Sequence, residues 1–232
     1  MSEWVAYQLE RSRPHRDSDA TRLGLITPDH DWQQVWQILY RDRWTQVTDS
    51  LRLAQNGTAK LAQHLRQVRV ACRRFEALLR LTSEITPSVQ SAELFAVLRK
   101  IRRRCGVVRD AHLCRKHYQT WAKSASPESA DILTRIARLT SRRRRKHHRK
   151  LLRRLPRLKQ QLMTAEQKFS TSVRLIQGPR TGTYGELARQ IAQKNLAEFW
   201  NAMPESLSEP AAIHDLRLAI KHLRYTLEAL LP

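Results

Sequence analysis

Near the C-terminal end of the sequence, "HDLRLAIKHLRY" sets His214, Arg217, Lys221 and Arg224 at intervals of three and four residues. On an α-helix, which turns by about 100° per residue, that spacing draws the four side chains into one file. Basic residues so placed repel one another unless an anion lies between them, and a solvated helix face ordinarily mixes lysine with glutamate. The file reads as a rigid rail for an anion. Planar guanidinium groups grip phosphate oxygens through paired, charge-assisted hydrogen bonds. His214 offers either a proton-dependent contact, since its reference pKa is about 6.5, or a hydrogen bond to a neighbouring helix.

The file has an echo upstream. "LRQVRVACRRFEALLRL" from Leu65 aligns without a gap to "IHDLRLAIKHLRYTLEA" from Ile213, matching Arg69 to Arg217, Ala71 to Ala219, Arg73 to Lys221 and Leu79 to Leu227. In the first copy Leu65, Val68, Cys72, Phe75 and Leu79 form an apolar arc, with Arg66, Arg69, Arg73 and Arg80 on the arc beside it. In the second, Ile213, Leu216, Ile220, Leu223 and Leu227 are the expected core positions beside the file of His214 and its neighbours. Each copy carries one acid near the edge of its cationic stripe, Glu76 or Glu228.

A third basic feature is "SRRRRKHHRKLLRRLPRLK", within a stretch that has no acid from Arg135 to Lys159. Leu139, Leu151, Leu155, Leu158 and Leu162 supply helical docking points. The segment is expected to be a packed helix whose inner face, Arg142, Lys146, Arg149 and Arg153, helps to line an anion channel. A nuclear-import signal or an RNA-binding arm is the alternative for such a run.

The whole chain is charged to match. Its 232 residues hold 43 Lys plus Arg against 21 Asp plus Glu, a formal net charge of +22. So large an excess repels itself in a compact state and calls for a polyanion: nucleic acid, an acidic membrane surface or inorganic phosphate chains. With 41% hydrophobic residues, the chain can bury a core and does not read as a disordered basic tail. Three cysteines without a CxxC pair argue for a reducing compartment. No apolar run approaches membrane-spanning length, and the first residues do not resemble a secretory leader, so a cytoplasmic protein is expected.

The elements that must position these residues read as helices throughout, an all-α antiparallel arrangement. A polar arm, residues 1–27, precedes the helical domain, 28–232. Thr27 is the expected N-cap of the first helix, with Pro28 at its first position, and Asn56-Gly57 ends it. Thr58 caps the next helix, which runs to about Ser83. A third begins in "TPSVQSAELF", Gly106 marks a break or bend, and "VVRDAHLCRKHYQTWA" is a separate helix. Ser126 to Ser129 opens the long basic helix, reaching about Phe169, which Pro156 must bend or divide. After a loop at "QGPRTG", Thr183 and Glu186 have capping-box spacing, and the last helix starts between Ser208 and Ala211.

In their order and spacing these features resemble the conserved histidine α-helical domain, CHAD, over about residues 28–232. Its signature is similar to His-x-x-Arg-x-x-x-Lys/Arg-x-x-Arg in each of two repeats, matched by His214, Arg217, Lys221 and Arg224. A glycine followed by Arg-Asp is matched by "CGVVRD", giving Arg109 and Asp110. The resemblance implies two pseudo-symmetric helical bundles, here about 28–125 and 126–232, around a basic channel that binds inorganic polyphosphate. In the first copy Arg66 stands where the second has His214, so no histidine role passes to His64. The second repeat stops at Pro232, where the first continues through two more helices. That shortening implies an incomplete second bundle, or one completed by another subunit in a homodimer.

Nucleic acid is the competing polyanion. Single-strand binders interleave aromatic residues with a basic groove, whereas Trp32, Trp36, Tyr40 and Phe75 follow core spacing. Catalysis is not expected, because phosphoryl transfer draws on metal-holding carboxylates and the acids here are few and scattered. The Glu-x-Glu-x-Lys motif of the triphosphate tunnel enzymes that often accompany the family is also lacking, and Asp110 reads as a structural partner of arginine. Cys105, His112, Cys114 and His117 match no common zinc spacing, so no metal and no cofactor are expected. The reading is a cytoplasmic, non-catalytic polyphosphate-binding module, associated with polyphosphate granules or otherwise, with no membrane insertion.

Overall fold

A computed structural model describes residues 26–56, 60–81, 88–175, 182–204, 206 and 208–230. Among them are six helices: α1 (Trp32–Asn56), α2 (Leu61–Leu81), α3 (Ser88–Trp121), α4 (Pro127–Leu175), α5 (Tyr184–Asn201) and α6 (Pro210–Leu230). The fold class is all-α, as the periodicity indicates. Most of the N-terminal arm, Thr58, Ser83 and the "QGPRT" segment lie outside the described residues.

The first four helices share one core. Leu39 and Val47 of α1, Leu65, Cys72 and Phe75 of α2, Leu98 and Ile101 of α3, and Leu162 and Phe169 of α4 are all buried within it. An aromatic stack ties its ends together: Tyr40 lies 5.7 Å from Phe169 and 5.2 Å edge-on from Phe75. The Tyr40 hydroxyl donates to Glu166 at 3.0 Å, linking α1 to α4. The helix α4 runs antiparallel to α3, as Glu93 opposite Lys168 and Lys100 opposite Gln161 show. Helix α6 packs along α2 and α5.

Three local expectations change. Asp31, not Thr27, caps α1: its carboxylate accepts from the amides of Gln33 at 2.9 Å and Gln34 at 3.1 Å. The residues before it are held out of the helix because the carbonyls of Pro28 and His30 accept the amides of Gly185 and Tyr184. Gly106 neither breaks nor ends a helix, and α3 runs through it to Trp121. Pro156 does not divide α4, a single helix of 49 residues whose proline lies exposed. By contrast, Thr183 and Glu186 form the expected capping box at the start of α5.

Two sets of expected core positions differ. On α4, Leu151, Leu155, Leu158 and Leu162 are buried, but Leu139 is 61% exposed. On α6, Ile213, Ile220 and Leu227 are exposed, and the buried residues are Thr226, Ala229 and Leu230. Only the C-terminal turns of α6 reach the core. There the Tyr184 hydroxyl donates to the carbonyl of Leu230, and the buried Arg43 guanidinium donates to that of Glu228 at 2.8 Å. Carbonyls that lack partners within the helix are thereby satisfied, with a cation at the negative end of the helix dipole.

Candidate anion-binding site

The two halves of the sequence echo become neighbours, since α2 and α6 pack side by side. They run in the same direction: the Arg73 guanidinium stands 5.6 Å from the Tyr225 ring centre and donates to its hydroxyl at 3.4 Å, and Arg74 meets Glu228 at 2.8 Å. This register brings Lys221 up to Arg217, Arg73 and Arg69; partial burial first, and then those three cations, push its amine below the ordinary lysine range. Helix α3 supplies the third side. Burial pushes the Arg69 guanidinium below its ordinary range; Asp110 opposes that shift, and Arg109 and Arg73 reinforce it. Arg102 is lowered likewise, first by burial, with Glu76 opposing and Arg73 and Arg69 adding.

Three helices thus converge on a patch containing Arg69, Arg73, Arg102, Arg109, Arg217 and Lys221, whose acids are Glu76 and Asp110. Glu76 is 4% exposed and meets Arg102 at 3.4 Å. Burial raises its pKa, while Arg102, Arg80, Arg99 and Arg73 hold it down. Glycine at position 106 admits the crowding on α3: a Cβ there would collide with the guanidinium of Arg69, whose Nη1 donates to the Arg102 carbonyl at 3.3 Å. Rigid helices fix the backbone that carries these side chains, which lowers the ordering cost of binding an anion.

The residue matching of the echo also shows an exchange of charge. Glu76 of α2 corresponds to Arg224 of α6, and Arg80 corresponds to Glu228. Glu228 accepts from Arg74 of α2 at 2.8 Å and from Arg224 at 2.7 Å, a clamp between the two helices. Burial works against this carboxylate, but the two hydrogen bonds outweigh it and hold its pKa below the usual range. Arg224 is therefore engaged by an acid on its own helix.

The CHAD domain model matches residues 42–232. The chain belongs to the CHAD domain family. Among solved structures, the crystal structure of the CHAD domain from the plant Ricinus communis is similar, with a TM-score of 0.65 and 17% sequence identity over 88% of this chain and 67% of that one. No curated protein matches the chain.

Within this CHAD domain the remaining expected site residues are spread out. Arg66 and His214 are exposed one turn before Arg69 and Arg217, and Arg80, also exposed, lies 6.0 Å from the centre of the Phe95 ring. Arg142, Lys146, Arg149 and Arg153 are exposed on α4, which packs along α3 and reaches α1. The charges acting most strongly on Arg69, Arg102 and Lys221 all belong to α2, α3 and α6. Sequence reasoning missed Arg102, Arg74 and Tyr225, and gave Gly106 as a break or bend and as the glycine of "CGVVRD", without its contact to Arg69. A signal for Arg102 existed, since Arg102, Gly106 and Arg109 stand four and three residues apart and so share a face of α3.

Proposed function

We propose that this CHAD domain binds inorganic polyphosphate, without a catalytic step of its own, along a basic channel floored by the cations of α2, α3 and α6. The observation that carries the reading is the convergence of Lys221 on Arg217, Arg73 and Arg69, from two helices, in a patch where guanidinium groups outnumber acids. A chain with about one negative charge per phosphate supplies what those groups lack, and family membership agrees with it. Binding rather than phosphoryl transfer fits the two acids, since Glu76 faces Arg102 and Asp110 lies beside Arg69. Trp32, Tyr40 and Phe75 are buried in the core, away from any role in stacking bases. A cytoplasmic setting, at polyphosphate granules or elsewhere, fits three free cysteines of which Cys72 and Cys105 are buried.

The test is a competition titration at fixed, near-physiological salt. Long-chain polyphosphate is set against duplex and single-stranded nucleic acid of matched charge, on the natural chain and on an Arg69→Gln, Arg73→Gln, Arg217→Gln, Lys221→Gln variant, with orthophosphate release followed in parallel. Tighter polyphosphate binding that the variant loses, without release, supports the reading. Equal affinity for all three, indifferent to the substitutions, means that net charge alone binds and overturns it.

A further inference from the structure

Beyond the shared core, α3 and α4 continue as a two-helix arm towards the turn at Trp121–Pro127, and the seam of this arm holds an unusual set of side chains. His112 and Arg115 stand three residues apart on α3, and Arg144 and His148 four apart on α4. Each pair therefore shares a face of its helix. All four residues are half-buried, and each has a ring or guanidinium nitrogen that is shielded from solvent yet has no hydrogen-bond partner among the described residues: Nδ1 of His112, Nε of Arg115, Nε of Arg144 and Nε2 of His148.

The antiparallel register that sets Glu93 against Lys168 and Lys100 against Gln161 carries His112 and Arg115 of α3 to the level of Arg144 and His148 of α4. Burial, with Arg115, Arg144 and Lys116 near, pushes the His112 imidazole below its ordinary range, and burial with Arg144 does the same for His148. Arg144 is lowered by burial and by Arg115 and Arg145. The acid nearest to His112 in the sequence, Asp110, acts on Arg69 instead, and α4 has no acid from Arg135 to Lys159. The two guanidinium groups are desolvated without an acceptor and crowded by like charge, and each imidazole, in the tautomer with its proton on the orphaned nitrogen, lacks an acceptor too; such groups are costly as they stand. One tetrahedral oxyanion, with acceptor atoms on several sides, would satisfy them together.

We propose that the α3–α4 arm carries a second phosphate site, in which His112, Arg115, Arg144 and His148 hold one phosphoryl oxyanion between the two helices. The site is separate from the patch on α2, α3 and α6 and does not depend on polyphosphate binding there. Its ligand chemistry is a phosphoryl group with free non-bridging oxygens, carried by an inorganic phosphate chain or by a nucleic-acid backbone.

The test uses the full chain. Histidine side-chain ¹⁵N resonances of the natural protein are followed on addition of inorganic tripolyphosphate, and separately of a short single-stranded oligonucleotide. Saturable shifts of His112 and His148 with either probe are expected, and the probe that produces them identifies the source of the phosphate. An Arg115→Gln, Arg144→Gln variant, its helicity checked by circular dichroism, should bind that probe at these histidines at least about tenfold more weakly, the loss of one or two charged hydrogen bonds. An Arg217→Gln, Lys221→Gln variant should retain the shifts in full, so failure of the α2–α6 reading leaves this site standing. Unmoved imidazoles with both probes at saturating concentration overturn the proposal. So does a shift that the Arg217→Gln, Lys221→Gln variant abolishes.

Discussion

At Gly106 a helix interior accepts a poor helix former because the missing Cβ leaves room for the Arg69 guanidinium. Exchange of glycine for alanine inside a helix ordinarily stabilises it by up to about 1 kcal/mol. The atom displaced here is the far end of a flexible side chain, which can swing aside at small cost. Gly106→Ala is therefore expected to leave the melting temperature unchanged or raised, and to weaken polyphosphate binding several-fold by moving Arg69 off the Arg102 carbonyl, read by thermal melts and titration on one preparation. Glu228 acts in the opposite way, on stability. Its folded-state pKa lies below the usual range, so its clamp on Arg74 and Arg224 is fully present above the unfolded carboxylate value of about 4.3 and is lost as pH falls through the lowered folded value. Urea melts of Glu228→Gln at neutral pH should show a loss of roughly 1–2 kcal/mol, shrinking towards zero as the natural protein is itself acidified through that range.

Helix α4 shows what an element's periodicity reveals and what it withholds. The leucines at 139, 151, 155, 158 and 162 belong to one apolar pattern, yet the last four meet the core and Leu139 stands 61% exposed on the arm. Leu155→Ala should cost about 2–5 kcal/mol in chemical denaturation, whereas Leu139→Ala should stay within about 0.5 kcal/mol of the parent. Equal losses would mean that the arm packs against something. The same limit governs α6, where the spacing of Ile213, Ile220 and Leu227 correctly indicates a helix and its apolar face, but nothing local says which neighbours cover it. On α2 the identical pattern is fully buried because α1 and α3 flank it. The cationic stripes were legible because they depend only on helical spacing. The shared face of Arg102, Gly106 and Arg109 was legible in the same way, but its meeting with Arg69 was not, because that contact exists only once α2 lies against α3. Pro28 and Gly106 misled for a related reason, since a tertiary contact at each overrode the local preference.

At the scale of the whole molecule the net charge of +22 sets two responses to salt with opposite signs. Without a ligand, the crowded guanidinium groups of α2, α3, α6 and the arm repel one another within a Debye length of about 10 Å at 0.1 M salt, so added salt screens the repulsion and stabilises the fold. On the proposed binding of polyphosphate, the same cations replace the chain's condensed counterions, and added salt drives the ligand off, by analogy with nucleic acids. Melting temperature should therefore rise with sodium chloride for the free protein, while the extra stability that polyphosphate confers shrinks over the same range. The charge-neutralised variant at Arg69, Arg73, Arg217 and Lys221 should melt higher than the natural chain at low salt and gain less from polyphosphate. A variant that melts lower at low salt would show that these four side chains hold the helices together, and that their convergence serves the fold rather than an anion.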